Sequence, residues 1–136
     1  GCGRMDTLVG TSLAGVYCRG PAFPGEGYVF YYLFGSREEM YAFFTPRLEI
    51  RETPAGATCG DDPAGESTYS TGTDDRAGYL LCFEQDGERY LEWTHDAFAI
   101  YAWIRSTASS EEIFDFWQDA GPISPEVPAS PSGSSE

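Results

Sequence analysis

The four cysteines of this chain, Cys2, Cys18, Cys59 and Cys82, are the residues whose type and spacing point most clearly to chemistry. An even number of cysteines in a short chain predicts disulfide bonds, which persist where thiols are not kept reduced. Of three possible connectivities, we favour Cys2 with Cys18 and Cys59 with Cys82, because each bond would tie a loose segment to a structured one. The cysteines therefore predict an extracytoplasmic protein, either secreted or tethered at the cell surface.

Two other roles for the cysteines are weaker alternatives. Zinc sites need closely spaced ligands, but the sequence has no Cys-x-x-Cys pair and His95 is its only histidine, so we expect no metal. The start Gly1-Cys2-Gly3 is similar to that of a mature bacterial lipoprotein, in which the first cysteine carries lipid. Lipid on Cys2 would leave Cys18 without its local partner, which counts against it.

Candidate catalytic groups are few in this sequence. A general base needs a nucleophile within reach, but His95 lies at a predicted turn and no Gly-x-Ser-x-Gly motif is present. Phosphate-binding and dinucleotide-binding glycine motifs are absent. The acidic clusters at 61–66 and 74–75 lack the ordered spacing of a calcium loop. The sequence therefore predicts no catalytic residue and no cofactor, so we expect this chain not to be an enzyme.

The charge of the chain excludes two classes of partner. Eight basic residues, all arginine, face 22 acidic ones, and the formal net charge is −14. Nucleic acids and anionic membrane surfaces are both bound through basic patches, so neither is expected as a partner. No apolar run approaches the roughly 18–20 residues of a membrane helix. We expect the chain to be one domain of a longer protein.

The clearest elements of the first half are one strand and one helix. Residues 28–34 are aromatic and β-branched, which predicts a strand covered on both faces. Ser36 and Glu39 form a capping box that starts a helix over 37–44, and Pro46 should end this helix.

The remainder of the first half has weaker signals. Residues 5–16 are predicted to be weakly helical, because their few apolar residues have helical spacing. Residues 49–76 lack periodicity and indicate a long loop with one short strand near 67–70. A loop of this length needs a restraint or a function, and Cys59 would restrain it.

The second half predicts a meander of three antiparallel strands. Asp86 and Gly87 form a tight hairpin turn within 78–93, and a third strand follows over 97–104. A two-residue turn pairs Phe83 with Tyr90, Cys82 with Leu91, and Leu80 with Trp93. Alternation then assigns these residues to the core face: Leu80, Cys82, Leu91, Trp93, Phe98 and Ile100.

The element order indicates an α+β fold. Ser109 and Glu112 begin a second helix over 111–119. Strands grouped together with flanking helices predict an antiparallel sheet, one strand plus the three-strand meander, with two to three helices on one face and two disulfides. We expect a single domain over 1–121, followed by a Pro/Ser-rich linker or tail over 122–136.

The face of the meander opposite the core is the surface with binding character. Phe83, Tyr90 and Tyr101, with Trp103 further along, form a candidate binding face, because large exposed aromatic patches mark interaction sites. The alternative is that a helix or the long loop covers these rings. The sequence leaves the ligand, a small molecule or a protein, and the oligomeric state open.

Several segments occur in a recognisable order: Val16-Tyr17-Cys18, the strand 28–34 with its capped helix, Cys59, the stretch 78–82 before a hairpin, Glu92-Trp93-Thr94, and Phe114-Asp115-Phe116-Trp117. Together they resemble the extracytoplasmic C-terminal domains of some actinobacterial membrane-anchored serine/threonine protein kinases and of related secreted proteins and lipoproteins. The resemblance covers roughly residues 2–119, and its motifs are structural. The Pro/Ser tail departs from it.

The resemblance implies a non-enzymatic extracytoplasmic sensor or ligand-binding domain, part of a membrane-anchored protein that carries a cytoplasmic kinase domain. A free secreted protein or lipoprotein with a structural or interaction role is the alternative. A third hypothesis is a small secreted enzyme or enzyme inhibitor.

Overall fold

The computed structural model describes residues 2–19, 24–25, 27–50, 56–59, 62, 64–69 and 77–120. The predicted tail and most of the acidic residues in the long loop, including those at 61 and 74–75, lie outside the described residues. The described elements are these: β1 (Cys2–Arg4), β2 (Ala14–Cys18), β3 (Gly27–Leu33), α1 (Arg37–Ile50), β4 (Gly65–Tyr69), β5 (Gly78–Gln85), β6 (Glu88–His95), a 3₁₀ turn (Asp96–Phe98), β7 (Ile100–Ser106) and α2 (Ser110–Ala120).

The seven strands form one antiparallel sheet in the order β1-β2-β3-β7-β6-β5-β4. Two meanders, β1 to β3 and β4 to β7, are joined where β3 pairs with β7. The α+β class is confirmed, and the predicted meander is present as β5 to β7. The sheet is larger than predicted, because β1, β2 and β4 add three strands to it. Of these, β4 is the short strand that the sequence predicts near 67–70, and β1 and β2 were not predicted.

The weak helix expected over 5–16 is wrong. Its last residues belong to β2, where Val16 pairs with Tyr31 of β3. Leu8 and Leu13, two of the apolar residues whose spacing suggested a helix with one buried side, are 40% and 64% exposed. Pairing with β3 and the disulfide at Cys18 outweigh a marginal helical spacing in this segment.

The two helices lie on opposite faces of the sheet, and not on one face as predicted. Met40 and Phe44 of α1 pack with Leu81 and Tyr101, whereas Trp117 of α2 packs with the residues of the other face. The strands β5 to β7 carry apolar side chains on both faces, so each face needs its own cover. We refer to the α1 face and the α2 face below.

The hairpin between β5 and β6 has the predicted register. Asp86 and Gly87 have φ angles of 55° and 81°, the left-handed values that a tight two-residue turn requires. The third strand starts at Ile100, later than predicted, because the 3₁₀ turn precedes it. Phe98 lies in that turn and is 42% exposed, so its assignment to the core is wrong.

The capping box of α2 is complete, whereas among the described residues only one of the two capping bonds is present at α1, and α1 does not end at Pro46. The backbone N–H of Glu39 donates to Ser36 Oγ, and Ser109 and Glu112 bond reciprocally at α2. The helix α1 continues for a further turn to Ile50. Contacts of that last turn with the sheet, above all the ion pair of Arg47, outweigh the hydrogen bond that proline removes.

Candidate functional site

Both predicted disulfides are present. Cys2 joins Cys18, its cross-strand partner in β2, and Cys59 joins Cys82 in β5. Cys18, Cys59 and Cys82 all belong to the α2-face core. Two disulfides are compatible with an extracytoplasmic location. The bond between Cys59 and Cys82 ties residues ahead of β4 to the sheet.

The described residues contain no group of three metal-ligating side chains. None of the described helices is long and apolar enough to cross a bilayer.

The α1 face contains a buried ion pair. Glu92 has no exposed surface, and Arg47 of α1 donates to both of its carboxylate oxygens, at 2.6 Å and 2.7 Å. The hydroxyl of Tyr101 donates to Glu92 Oε1 at 2.7 Å. The guanidinium of Arg47 also lies over the rings of Phe43 and Tyr101. This arrangement fixes the last turn of α1 against β6 and β7.

The protonation of these groups follows from their contacts. The hydrogen bonds to Glu92 raise the pKa of Arg47, so the guanidinium stays charged. Burial raises the pKa of the Tyr101 hydroxyl well above its ordinary value, and the neighbouring Glu92 carboxylate adds to this shift. Tyr101 therefore remains a neutral donor. Both carboxylate oxygens of Glu92 accept hydrogen bonds from Arg47 or Tyr101. The cluster therefore has a structural role, since it holds α1 in one position on the sheet.

A second polar cluster supports the other end of the same face. Thr94 Oγ1 accepts from the backbone N–H of Tyr79 at 2.9 Å and donates to Asp96 Oδ1 at 3.0 Å. The hydroxyl of Tyr41, from α1, donates to the same Asp96 oxygen at 2.6 Å. Thr94 is fully buried and Asp96 almost so, and their hydrogen bonds place α1 over this part of the sheet.

The four predicted binding-face residues share the α1 face, but they differ in exposure. Tyr101 and Phe83 are buried, at 1% and 7% exposed. Tyr90 and Trp103 are half-buried. The helix α1 lies over Tyr101, as the ring contacts of Phe43 and Phe44 with Tyr101 demonstrate. The binding role of these residues stays a prediction, and Tyr90 and Trp103 are the members that solvent reaches.

Beside α1, a row of aromatic rings crosses the sheet. Its members, from β5 to β2, are Phe83, Tyr90, Trp103, Phe30, Tyr28 and Tyr17. We call this set the aromatic row. The centroid of Trp103 lies 4.3 Å from that of Phe30 and 5.9 Å from that of Tyr90, with nearly parallel planes in both pairs. Phe83 stacks on Tyr90 at 4.8 Å.

The members in β3 and β2 were missed by sequence reasoning. Phe30 reaches Trp103 only because β3 pairs with β7, and these strands are far apart in the sequence. Tyr17 joins the row because β2 is a strand and pairs Tyr17 with Phe30. Tyr17 and Tyr28 are 37% and 36% exposed. The alternating aromatics of 28–34 were the signal that could have found Tyr28 and Phe30.

The rings of the row are held in place before any ligand binds. The indole N–H of Trp103 hydrogen-bonds to the hydroxyl of Tyr32 in the neighbouring strand. Because its two faces are covered by Phe30 and Tyr90, Trp103 presents an edge to solvent. The four rings from Phe83 to Phe30 are stacked in parallel, whereas Tyr28 and Tyr17 meet their neighbours edge to face.

A cleft on the α2 face is a weaker candidate. It lies between the disulfide of Cys59 and Cys82, Arg89 of β6, and Ser110 and Phe114 of α2. Its interior has about 10 Å³ for the centres of water-sized molecules, which is space for about one water.

No protein-family model, no curated protein and no solved structure matches this chain.

Proposed function

We propose that this chain is a non-enzymatic, extracytoplasmic sensor or partner-binding domain, and that the aromatic row is its binding surface. The observation that carries the proposal is the position of the row. It crosses five strands beside α1, and five of its six rings remain at least partly exposed.

The composition of the row suits a binding surface. Tyrosine and tryptophan are enriched in interfaces and dominate their energetics, because they supply large contact areas with few rotatable bonds. The stacking of Trp103 and its hydrogen bond to Tyr32 reduce the entropy that binding would cost. The domain thus keeps preorganised aromatic groups where a partner can reach them.

The wider setting is proposed from the cysteines and the resemblance. The domain would belong to a membrane-anchored actinobacterial protein such as a serine/threonine kinase, and would report on a ligand outside the membrane. The full-length gene is the test of this part. A single membrane helix and a cytoplasmic kinase domain would support it, and a gene encoding neither would contradict the kinase version.

A free secreted protein or lipoprotein would use the same surface. Mass spectrometry of the mature N-terminus separates these settings. Lipid on Cys2 is incompatible with its disulfide to Cys18, so a diacylglyceryl mass on Cys2 would favour the lipoprotein and contradict this pairing.

The binding surface is tested through tryptophan fluorescence. Trp93 and Trp117 are buried, at 1% and 8% exposed, so Trp103 dominates the response of the emission to a surface ligand. Fractions of culture medium and of digested cell wall are titrated against the domain. We expect at least one fraction to change the emission, and Tyr90→Ala, which removes a ring of the row but keeps Trp103 as the reporter, to abolish that change.

The matched control for this titration is Phe98→Ser. It alters an exposed aromatic residue outside the row and should bind as the wild type does. If no fraction changes the emission, or if Phe98→Ser and Tyr90→Ala lose the change equally, the aromatic row is not the binding surface.

A further inference from the structure

We propose that the aromatic row binds a proline-rich segment in the polyproline II conformation, and that residues 122–131 of this chain are that segment. This inference rests on the proposed function, since it names the partner of the same surface. Five steps carry it: the period of the segment, the spacing of the strands, the shape of the row, its charge, and the place where the described chain ends.

The first step is the period of the segment. Prolines occur at 122, 125, 128 and 131, so every third residue is proline. A polyproline II helix has three residues per turn and rises about 3.1 Å per residue, so these prolines would share one edge with a repeat of about 9.3 Å.

The second step is the match between this repeat and the sheet. Neighbouring strands lie about 4.8 Å apart, so every second strand recurs at about 9.6 Å. A polyproline II helix that crosses the strands would therefore place successive prolines over alternate strands. The row spans β5, β6, β7, β3 and β2, which is about 19 Å and accommodates three consecutive prolines.

The third step is the shape of the row. Polyproline II segments bind in grooves lined by aromatic rings, because the segment is already extended and loses little entropy. The outward-facing aromatic rings of the row provide apolar contacts for such a segment, and their stacked spacing is widest, at 5.9 Å, between Tyr90 and Trp103. The tyrosine hydroxyls supply donors for the solvated carbonyl groups of the segment.

The fourth step is charge complementarity. Arg105 of β7 lies on the α1 face between Tyr28 and Tyr90, which are its cross-strand partners in β3 and β6. Its side chain is 40% exposed and forms a long ion pair with Glu88, whose Oε1 lies 3.9 Å from Arg105 Nε. Arg105 Nε itself is buried and has no hydrogen-bond partner among the described residues, so an incoming carboxylate would meet the outer nitrogens of the guanidinium. The segment carries one charge, Glu126, which Arg105 can receive.

The fifth step is the place where the described chain ends. Trp117, in the last turns of α2, packs on Tyr69 of the edge strand β4. The neighbouring strand β5 carries Phe83, the first ring of the row. The eleven residues 121–131 would extend about 34 Å in polyproline II conformation. This length is enough to pass the β4 edge of the sheet. The same length also allows the segment of a second copy to bind.

The experiment uses the full chain and replaces the four prolines by alanine, with the length unchanged. We expect the tail variant to lose protection of Trp103, so that acrylamide quenches its emission more strongly than in the wild type. The matched control replaces Ser130 and Ser132 by alanine, keeps the prolines and should be quenched as the wild type is. Unchanged quenching of the proline variant would overturn the proposal.

A second measurement adds the peptide of residues 121–132 to the proline variant of the full chain. We expect binding that Trp103→Ala weakens by at least about tenfold, as truncation of a central anchor does, whereas Phe98→Ala leaves the affinity unchanged. A peptide of the same composition, with its prolines moved off the three-residue period, should not bind. Equal binding of both peptides would overturn the polyproline II proposal.

The contact between Arg105 and Glu126 has its own test. Arg105→Gln should weaken binding of the wild-type peptide, but not of a peptide with Gln in place of Glu126. An equal loss with both peptides would contradict this contact.

The experiments distinguish failure of the proposed binding surface from failure of the proposed proline-rich partner. If the peptide does not bind but a cell-wall or medium fraction still changes the emission through Trp103, the partner is different and the binding surface stands. If neither binds, both proposals fail. Sedimentation at several concentrations separates a segment docked on its own chain, which keeps the protein monomeric, from one exchanged between copies.

Discussion

The two faces of the sheet are stabilised by different means. The α2 face is apolar and covalently reinforced, with Trp93 and Trp117 at its centre and both disulfides attached to it. The α1 face contains the fully buried Glu92 and Thr94 and the nearly buried Asp96. All three are hydrogen-bonded to side chains of α1.

The polar contacts of the α1 face explain how a helix can cover only part of a sheet. Apolar burial has no direction and favours the largest covered area. The hydrogen bonds from Arg47 and Tyr41 are directional, so they fix α1 at one position and leave the aromatic row beside it uncovered. In this interpretation, the polar contacts of the α1 face serve the position of the helix and, through it, the exposure of the row.

Loss of the buried ion pair should reduce the stability of the domain more than any other change considered below. Arg47→Ala leaves the carboxylate of Glu92 buried and opposed only by Tyr101, so we expect a loss of about 3–5 kcal/mol in the free energy of unfolding. Urea denaturation measures it. A loss below about 1 kcal/mol would be typical of a surface ion pair and would contradict this account of the α1 face.

The control for this prediction is the double variant Arg47→Met with Glu92→Leu. Replacing a buried pair by apolar residues of similar volume is often neutral or stabilising. The double variant should therefore recover most of the stability. If the pair also specifies where α1 lies, the acrylamide accessibility of Trp103 should change in this variant even though its stability is restored.

The sequence predicts the local features of both sheet faces well, such as strand register. It predicts poorly which helix lies over which face. The register from Phe83 to Tyr90 follows from two turn residues, Asp86 and Gly87, and from alternation, which are local signals. The burial of Tyr101 depends on where α1 lies, and that depends on Arg47 reaching a strand 45 residues away. No periodicity within either element contains that information.

The candidate site was predictable to the same extent. Tyr90 and Trp103 share a face because of the meander, and alternation alone places them together. Phe30 and Tyr17 enter the row through pairings of β3 with β7 and β2. Such non-local pairings are decided by the assembly of the whole sheet, so a single sequence did not indicate them.

The next largest effect tests the covalent reinforcement of the α2 face. The bond between Cys59 and Cys82 closes a loop with a sequence separation of 23, so removing it with Cys59→Ala and Cys82→Ala should cost about 3 kcal/mol. Urea denaturation of the oxidised wild type and the double variant measures this difference. The tail peptide should still bind the folded variant, because the aromatic row lies on the opposite face.

The pair Cys2→Ala and Cys18→Ala is the matched control for that prediction. Its loop is shorter, with a separation of 16, so it should cost a similar or slightly smaller amount. It also removes a constraint on β2, which carries Tyr17 of the row. Equal effects of both double variants on peptide binding would contradict the separation of roles between the faces.

A smaller effect is expected from the second polar cluster. Thr94→Val keeps the shape of the side chain but leaves the backbone N–H of Tyr79 without its acceptor, so we expect a loss of about 1–3 kcal/mol. Thr68→Val, at an exposed position of β4, is the control and should be nearly neutral. Urea denaturation compares the two. Similar losses of stability at both positions would mean that the hydrogen bonds of Thr94 do not contribute to the free energy of unfolding.

The smallest effect concerns a polar group on the apolar face. His95 points to the α2 face, stacks on Phe98, and its Nδ1 is buried without a hydrogen-bond partner among the described residues. Burial lowers the pKa of His95, and the nearby Asp96 only partly opposes this. The unfolded chain, with a pKa near 6.5, therefore binds a proton more readily than the folded one. By linkage, the free energy of unfolding is retained above about pH 6.5 and declines as the pH falls below it.

Denaturation midpoints between pH 7.5 and 5 should reveal this decline in stability. The variant His95→Gln should remove the decline and leave only the slope that carboxylates cause at lower pH. An unchanged decline in His95→Gln would mean that the histidine is as well solvated as in the unfolded chain.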